Sequence, residues 1–217
     1  MADGVGGWAE RGVDPGLFSK QLCKDIQTIF DNNKDSKYTL KQILIEAVKR
    51  NTHIGSSTAC LAMIDADSKM KTTNLGDSGY VIFRKANGRI EKIFRSKEQQ
   101  YSFNFPYQCG SGCELPTNAF DNEHEIFEHD LIVMGTDGVF DNVFDEDIQA
   151  CLVTKPDSVF SLQTGANCIG EKAYRNSKDR KFESPFSKGA KQSGHYYLGG
   201  KADDITVILS QITKANI

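Results

Sequence analysis

The chain has 217 residues, 39% of them hydrophobic and 25% charged, with a formal net charge of −3. That length builds one sizeable core, so a single domain over 1–217 is expected. The slightly acidic balance offers no general attraction to nucleic acid or anionic lipid, and no apolar run approaches the roughly 18 residues that span a bilayer. Six scattered cysteines (23, 60, 109, 113, 151 and 168) read as reduced thiols of a reducing compartment, with Cys109 and Cys113 too poorly accompanied for a zinc site.

The opening ADGVGGWAE sets Asp3 directly against Gly4. This is either a tip without structure or a metal-binding carboxylate on a turn. No targeting peptide is legible before it. Asp14-Pro15 then reads as a helix N-cap with proline in the first turn, followed by Leu17, Phe18, Leu22, Ile26, Ile29 and Phe30 at helical spacing. The polar run DNNKDSKY ends that helix, and Thr39 with Gln42 resembles a capping box opening a second one. Asp31, Asn33 and Asp35 have the spacing of a calcium loop, but Ser36 and Gln42 stand where Gly and Glu are required.

The period then changes. STACLAMIDA, MKTTNLG, GYVIFRKA and GRIEKIFR are short and apolar or alternating, with turn residues between them, which predicts an antiparallel meander. Residues 99–122 read as a long ordered loop. HEIFEHDLIVMGTDGVF predicts a hairpin whose second strand, 131–134, is buried on both faces. Helices are expected over 144–153 and 156–175, a basic surface loop at 175–191 that could meet acidic substrates, and a last strand in DDITVILSQI. The sum is an α+β domain.

Acidic residues recur at the ends of apolar strands: Asp3 beside Gly4, Asp137 beside Gly138, and Asp203 with Asp204, while Asp77 lies on a tight turn. Charges at such places are costly without a partner, and Lys or Arg is not adjacent in most of these segments. A hard divalent cation is a natural partner, and oxygen ligands suit Mg²⁺ or Mn²⁺. Two such ions can ionise a water and steady a phosphoryl group under attack, which points to phosphoester hydrolysis. Each motif alone is weak, because an Asp-Gly pair is commonly a turn. No Cys-x5-Arg arrangement is present for a thiolate nucleophile.

In their order, ADGVGGW, GSSTACLAMID, NLGDSGYVIFR, DLIVMGTDGVFDN and KADDITVIL resemble the metal-dependent serine/threonine protein phosphatases of the protein phosphatase 2C (PPM) type. DGVGGWAE and SFNFPYQCG resemble its mitochondrial branch. The resemblance implies a β-sandwich of two antiparallel sheets flanked by helices, a monomer acting on phosphorylated proteins, and a mitochondrial matrix location, with cytoplasm as the alternative. It further implies that Asp3 bridges two Mn²⁺ or Mg²⁺ ions, that Gly4 offers its carbonyl, and that Asp137 and Asp203 complete the carboxylates. Asp77 and Asp141 would hold a weaker third ion, and Asp204 would stand behind the ligands.

Val5 occupies the place where many relatives carry a histidine proposed as general acid, and none of His53, His124, His129 and His195 falls in a matching motif. The family also has strands upstream of the first aspartate, so the domain is expected to lack its first strands. These departures prompt an alternative, a catalytically impaired relative that binds metal or phosphoproteins; the retained carboxylates argue against it.

Overall fold

The computed structural model describes residues 1–33, 38–65, 67–86, 88–113, 115–153 and 161–213. In chain order it runs β1 (Ala2–Gly4), a 3₁₀ helix (Gly6–Arg11), α1 (Pro15–Asn32), α2 (Leu40–Arg50), β2 (Ser56–Ile64) and β3 (Lys69–Leu75). Then come β4 (Gly79–Ala86), β5 (Arg89–Arg95), β6 (Gln100–Ser102), β7 (Phe105–Pro106), β8 (Cys109–Gly110) and β9 (Phe120–Glu125). The chain continues with β10 (Leu131–Gly135), α3 (Asp137–Phe140), α4 (Asp145–Leu152), α5 (Leu162–Lys178), α6 (Pro185–Gln192) and β11 (Val207–Gln211). These divide into two compact units, 1–78 with 97–125, and 79–96 with 126–217.

The first unit is a sheet ordered β1-β2-β3-β9, with β8 also on β2, against which α1 and α2 pack. Local chemistry sets the helices as the sequence predicts. Asp14 Oδ1 accepts from the Gly16 N–H at 2.8 Å, and Thr39 and Gln42 bond reciprocally as a capping box. Phe18, Leu22 and Ile29 from α1 and Ile43, Leu44 and Ala47 from α2 bury against Ala59, Leu61 and Leu75. The calcium-loop reading falls partly on residues 34–37, outside the described residues.

The second unit is a sheet ordered β11-β10-β4-β5 with α3, α4 and α5 on it. Val81, Phe83, Val133 and Leu209 pack with Val139, Ile148, Ile169 and Ala173. Val133 is fully buried and Leu131 and Ile132 nearly so, as a strand with neighbours on both edges and apolar residues on consecutive positions requires.

Several expectations are corrected. The four-strand meander is two hairpins, β2–β3 and β4–β5, in different sheets. The hairpin expected over 124–140 is not one, because β9 pairs with β3 whereas β10 pairs with β4 and β11. Alternation identifies a strand without naming its partner. Residues 99–122 contain β6, β7, β8 and the start of β9. The last strand spans 207–211 only, and the helix expected from 156 begins at Leu162 after residues outside the described set. The basic loop is in part helix: α5 runs to Lys178, and α6 buries Phe186 and Ala190. Cys151 and Cys168 form a disulfide between α4 and α5, so not all six thiols are reduced.

Candidate functional site

Asp3 and Gly4 are not a loose tip. β1 pairs antiparallel with β2, Asp3 opposite Thr58 and Gly4 opposite Ser57, and Ser57 Oγ donates to the Asp3 carbonyl at 2.8 Å. A Cβ on Gly4 would stand 2.3 Å from the Pro15 carbonyl oxygen, so only glycine lets β1 lie this close to the start of α1. Val5 follows, half-buried, its N–H given to the Ser56 carbonyl at 2.9 Å. Trp8 Nε1 donates to Ser56 Oγ at 2.6 Å, which ties the 3₁₀ helix to the same strand. Asp77 is buried on the bend after β3. Its neighbour Ser78 bonds Thr58 through the two hydroxyls at 2.8 Å, so β2 supports both acidic positions of this unit.

In the second unit β10 delivers Asp137 as the first residue of α3, and Asp141 caps that short helix. Asp203 sits on the segment that leads into β11. These three carboxylates converge on one ammonium: Lys201 Nζ lies 2.5 Å from Asp137 Oδ2, 2.7 Å from Asp141 Oδ2 and 3.1 Å from Asp203 Oδ2. All four side chains are between 15% and 31% exposed, sheltered enough for the charges to matter.

Burial works against the charge on Lys201, but the charges of Asp141 and Asp137, with hydrogen bonds to both, outweigh it and hold the lysine above its ordinary range. Burial and the negative charge of Asp137 push the Asp203 carboxyl up, while Lys201 and the Asp204 N–H pull it back. Asp203 is thus held above the ordinary carboxylate range by burial first and by its like-charged neighbour second.

The backbone around this cluster is tightly specified. A Cβ on Gly138 would lie 2.2 Å from the Asp204 carbonyl oxygen, so the second Asp-Gly pair, like the first, marks a close approach of main chains and not a turn. Thr136 Oγ1 donates to that same carbonyl at 3.1 Å and accepts from the Thr206 N–H at 3.1 Å. Asp204 therefore acts through its backbone here, and its side chain is exposed.

Asn142, fully buried, joins the two segments that carry the cluster. Its Nδ2 donates to the Gly138 and Lys201 carbonyls at 3.0 and 2.8 Å, and its Oδ1 accepts from the Lys201 N–H at 2.9 Å. Asn176 of α5 in turn donates to the Asn142 carbonyl at 2.8 Å.

Sequence reasoning missed Lys201 and Asn142. Lys201 lies two residues before Asp203 but about sixty from Asp137 and Asp141 along the chain, so no local spacing advertises it. Among the described residues, no three His, Cys, Asp or Glu side chains stand around a common point as a metal's ligands would; Asp137, Asp141 and Asp203 are gathered by the ammonium. The donor set nonetheless fits a hard cation. It is all carboxylate oxygen, from three acidic side chains that share one ammonium, the ligand type that hard divalent ions take.

No family model matches the chain. Curated relatives do. It is 37% identical to the "Probable protein phosphatase 2C 80" of Arabidopsis thaliana over 99% of its own length and 51% of the relative's. It is 36% identical to the "Probable protein phosphatase 2C 26" of the same plant over 99% of its length and 74% of that protein. With the "Protein phosphatase PTC7 homolog fig" of Drosophila melanogaster it shares 37% identity over its whole length and 73% of the fly protein's.

Among solved structures, the photosystem II phosphatase PBCP superposes with a TM-score of 0.88 at 32% identity, over 98% of this chain and 85% of that one. The catalytic domain of the serine/threonine phosphatase PstP, solved with two manganese ions, is similar in fold alone, with a TM-score of 0.56 at 15% identity over 80% of this chain and 79% of that one. The α+β fold with its antiparallel sheets is the fold of these phosphatases. The chain belongs to the protein phosphatase 2C family. It spans about half the length of the first of these curated relatives.

Proposed function

We propose that this chain is a metal-dependent protein phosphatase that hydrolyses phosphoserine and phosphothreonine in proteins, with residues 1–217 as its catalytic domain. The observation that carries the reading is the gathering of Asp137, Asp141 and Asp203 on a single ammonium, in a chain of this family.

Asp3 with the Gly4 carbonyl, Asp137 and Asp203 would hold two Mn²⁺ or Mg²⁺ ions, and Asp77 and Asp141 a weaker third. When bound, such ions supply Lewis acidity toward the phosphoryl oxygens and lower the pKa of water. The chain's own residues do the remaining work. Asn142 and Thr136 fix the segment bearing Asp203 against the helix bearing Asp137 and Asp141. Gly138 lets these main chains meet. Lys201 keeps three like charges together. Val5 has no proton to give, so it does not serve the leaving alkoxide.

The motif likeness to the branch that includes the PTC7 homologues supports a mitochondrial matrix location. The substrates would be phosphoproteins there, met by a monomer.

The test is release of phosphate from a phosphoserine peptide with Mn²⁺, with and without EDTA, by wild type and Asp137→Asn. Hydrolysis that EDTA abolishes, and that the variant loses by about 10²–10³-fold, is expected, on the scale of removing one group that stabilises transition-state charge. Activity that survives chelation, or is equal in the variant, contradicts the reading.

A further inference from the structure

We propose that the surface built by α6 and the residues flanking it, 175–198, docks acidic side chains that neighbour the phosphorylated residue of a protein substrate. This rests on the phosphatase reading and adds to it a preference among substrates.

The segment is a folded element with its ends tied together. Gly200 N–H donates to the Asp179 carbonyl at 2.9 Å, and Ser184 Oγ donates to the Gly199 carbonyl at 2.7 Å while capping α6 through the Ser187 N–H at 3.0 Å. Gly199 has φ +87°, and a Cβ there would meet Arg180 Cα at 2.6 Å, so this closure depends on glycine. α6 turns Phe186, Ser187 and Ala190 inward and leaves Lys188 and Lys191 outside.

The element is also fastened to the carboxylate cluster. Phe186 N–H donates to the Asp141 carbonyl at 3.0 Å, and the Phe186 ring lies 5.1 Å beneath Lys201 Nζ and edge-on to Tyr197 at 4.8 Å. The inner side of this element thus rests against Asp141 and Lys201.

The exposed side chains of this segment carry a charge opposite to the chain's. Arg175, Lys178, Arg180, Lys181, Lys188 and Lys191 are all exposed, against only Asp179 and Glu183 within 175–198, in a chain of net charge −3. Elsewhere in the same unit Arg84, Lys92, Arg95, Lys172 and Lys201 are committed to carboxylates. Among the described residues the six are in no such pair. Residues 191–198 are exposed without interruption, and Tyr196 at 88% and Leu198 at 65% offer apolar area between the cations.

A phosphorylated side chain brings about two negative charges toward a cluster of three carboxylates. Cations beside that cluster both offset the repulsion and steer anionic segments to it. Cations without a carboxylate partner, beside exposed aromatics, suit an acidic polypeptide, and the bond from the Phe186 N–H to the Asp141 carbonyl favours a substrate over a membrane.

The test compares binding, by fluorescence anisotropy in EDTA, of one phosphoserine peptide with Glu flanks and the same peptide with Lys flanks. Wild type is set against K188E/K191E and R180E/K181E, with hydrolysis under Mn²⁺ measured in parallel. Wild type is expected to favour the acidic peptide about tenfold at low salt, less as salt is added, and each reversal to erase or invert the ratio. Equal affinities in wild type, or a ratio intact in both reversals, overturn the proposal. Binding to phosphatidylcholine vesicles containing phosphatidylserine that the reversals remove while the peptide ratio persists also overturns it, in favour of a membrane. Selective binding without hydrolysis of either peptide would refute the phosphatase reading alone.

Discussion

The two compact units hold their acidic residues by different means. In the first, Asp3 is placed by strand pairing and a serine hydroxyl on its carbonyl, and the bend carrying Asp77 is held to β2 through Ser78 and Thr58. In the second, Asp137, Asp141 and Asp203 come from α3 and a segment without regular structure, and an ammonium gathers them. A strand edge positions a carboxylate through a backbone that is already satisfied. A charge-gathered cluster depends on its counter-ion, so it is the half that responds to a change of cation.

Lys201→Met breaks that comparison most sharply. In chelator it leaves three sheltered carboxylates without their cation, and unfolding by urea is expected to report a loss of about 2 kcal/mol, below the ~3–5 kcal/mol of a fully buried pair because these side chains keep some solvent. Mn²⁺ should then restore more stability in the variant than it adds to wild type. A variant as stable as wild type in EDTA would show that the carboxylates do not need the lysine.

The two Asp-Gly pairs provide a second contrast, this time of likeness. Gly4→Ala and Gly138→Ala each force a Cβ to within 2.3 Å or less of a carbonyl oxygen, and each is expected to cost about 1–3 kcal/mol as an overpacked site. A neutral result at either position would mean that the main chains there separate easily.

The smallest effect concerns the thiols. Burial pushes Cys60 up to about 12, and burial followed by the neighbouring Cys113 does the same for Cys109. Both are therefore neutral and shielded at pH 8, where iodoacetamide is expected to modify the exposed Cys23 and to spare them until the chain unfolds. Because folding raises these pKa values, the stability they contribute is whole below about pH 8.5 and is lost as the pH rises toward 12. Rapid native labelling of Cys60 would contradict the packing of β2.

Legibility followed locality. The caps of α1 and α2, Asp14 and the Thr39–Gln42 box, were readable because every group involved lies within four residues. β10 was readable because a strand with neighbours on both edges needs consecutive apolar residues. The partners of β3, β4, β9 and β10 were not, because crossing from one sheet to another leaves the same turn residues as a hairpin does. α6 was hidden by its Gly, Ser and Lys content, although Ser184-Pro185 is a cap signal and Phe186 and Ala190 have helical spacing. Asp137, Asp141 and Asp203 could be singled out from the sequence; the lysine that gathers them and the asparagine that joins their segments could not, because their partners are distant in the chain.

The central claim is that these carboxylates form a site for divalent cations, and the shift of thermal midpoint with added Mn²⁺ tests it most directly. Wild type is expected to rise as the ion is titrated, following the linkage between binding and stability, and Asp137→Asn and Asp203→Asn to rise far less. Equal shifts in all three proteins, or none in wild type at millimolar Mn²⁺, would contradict the account.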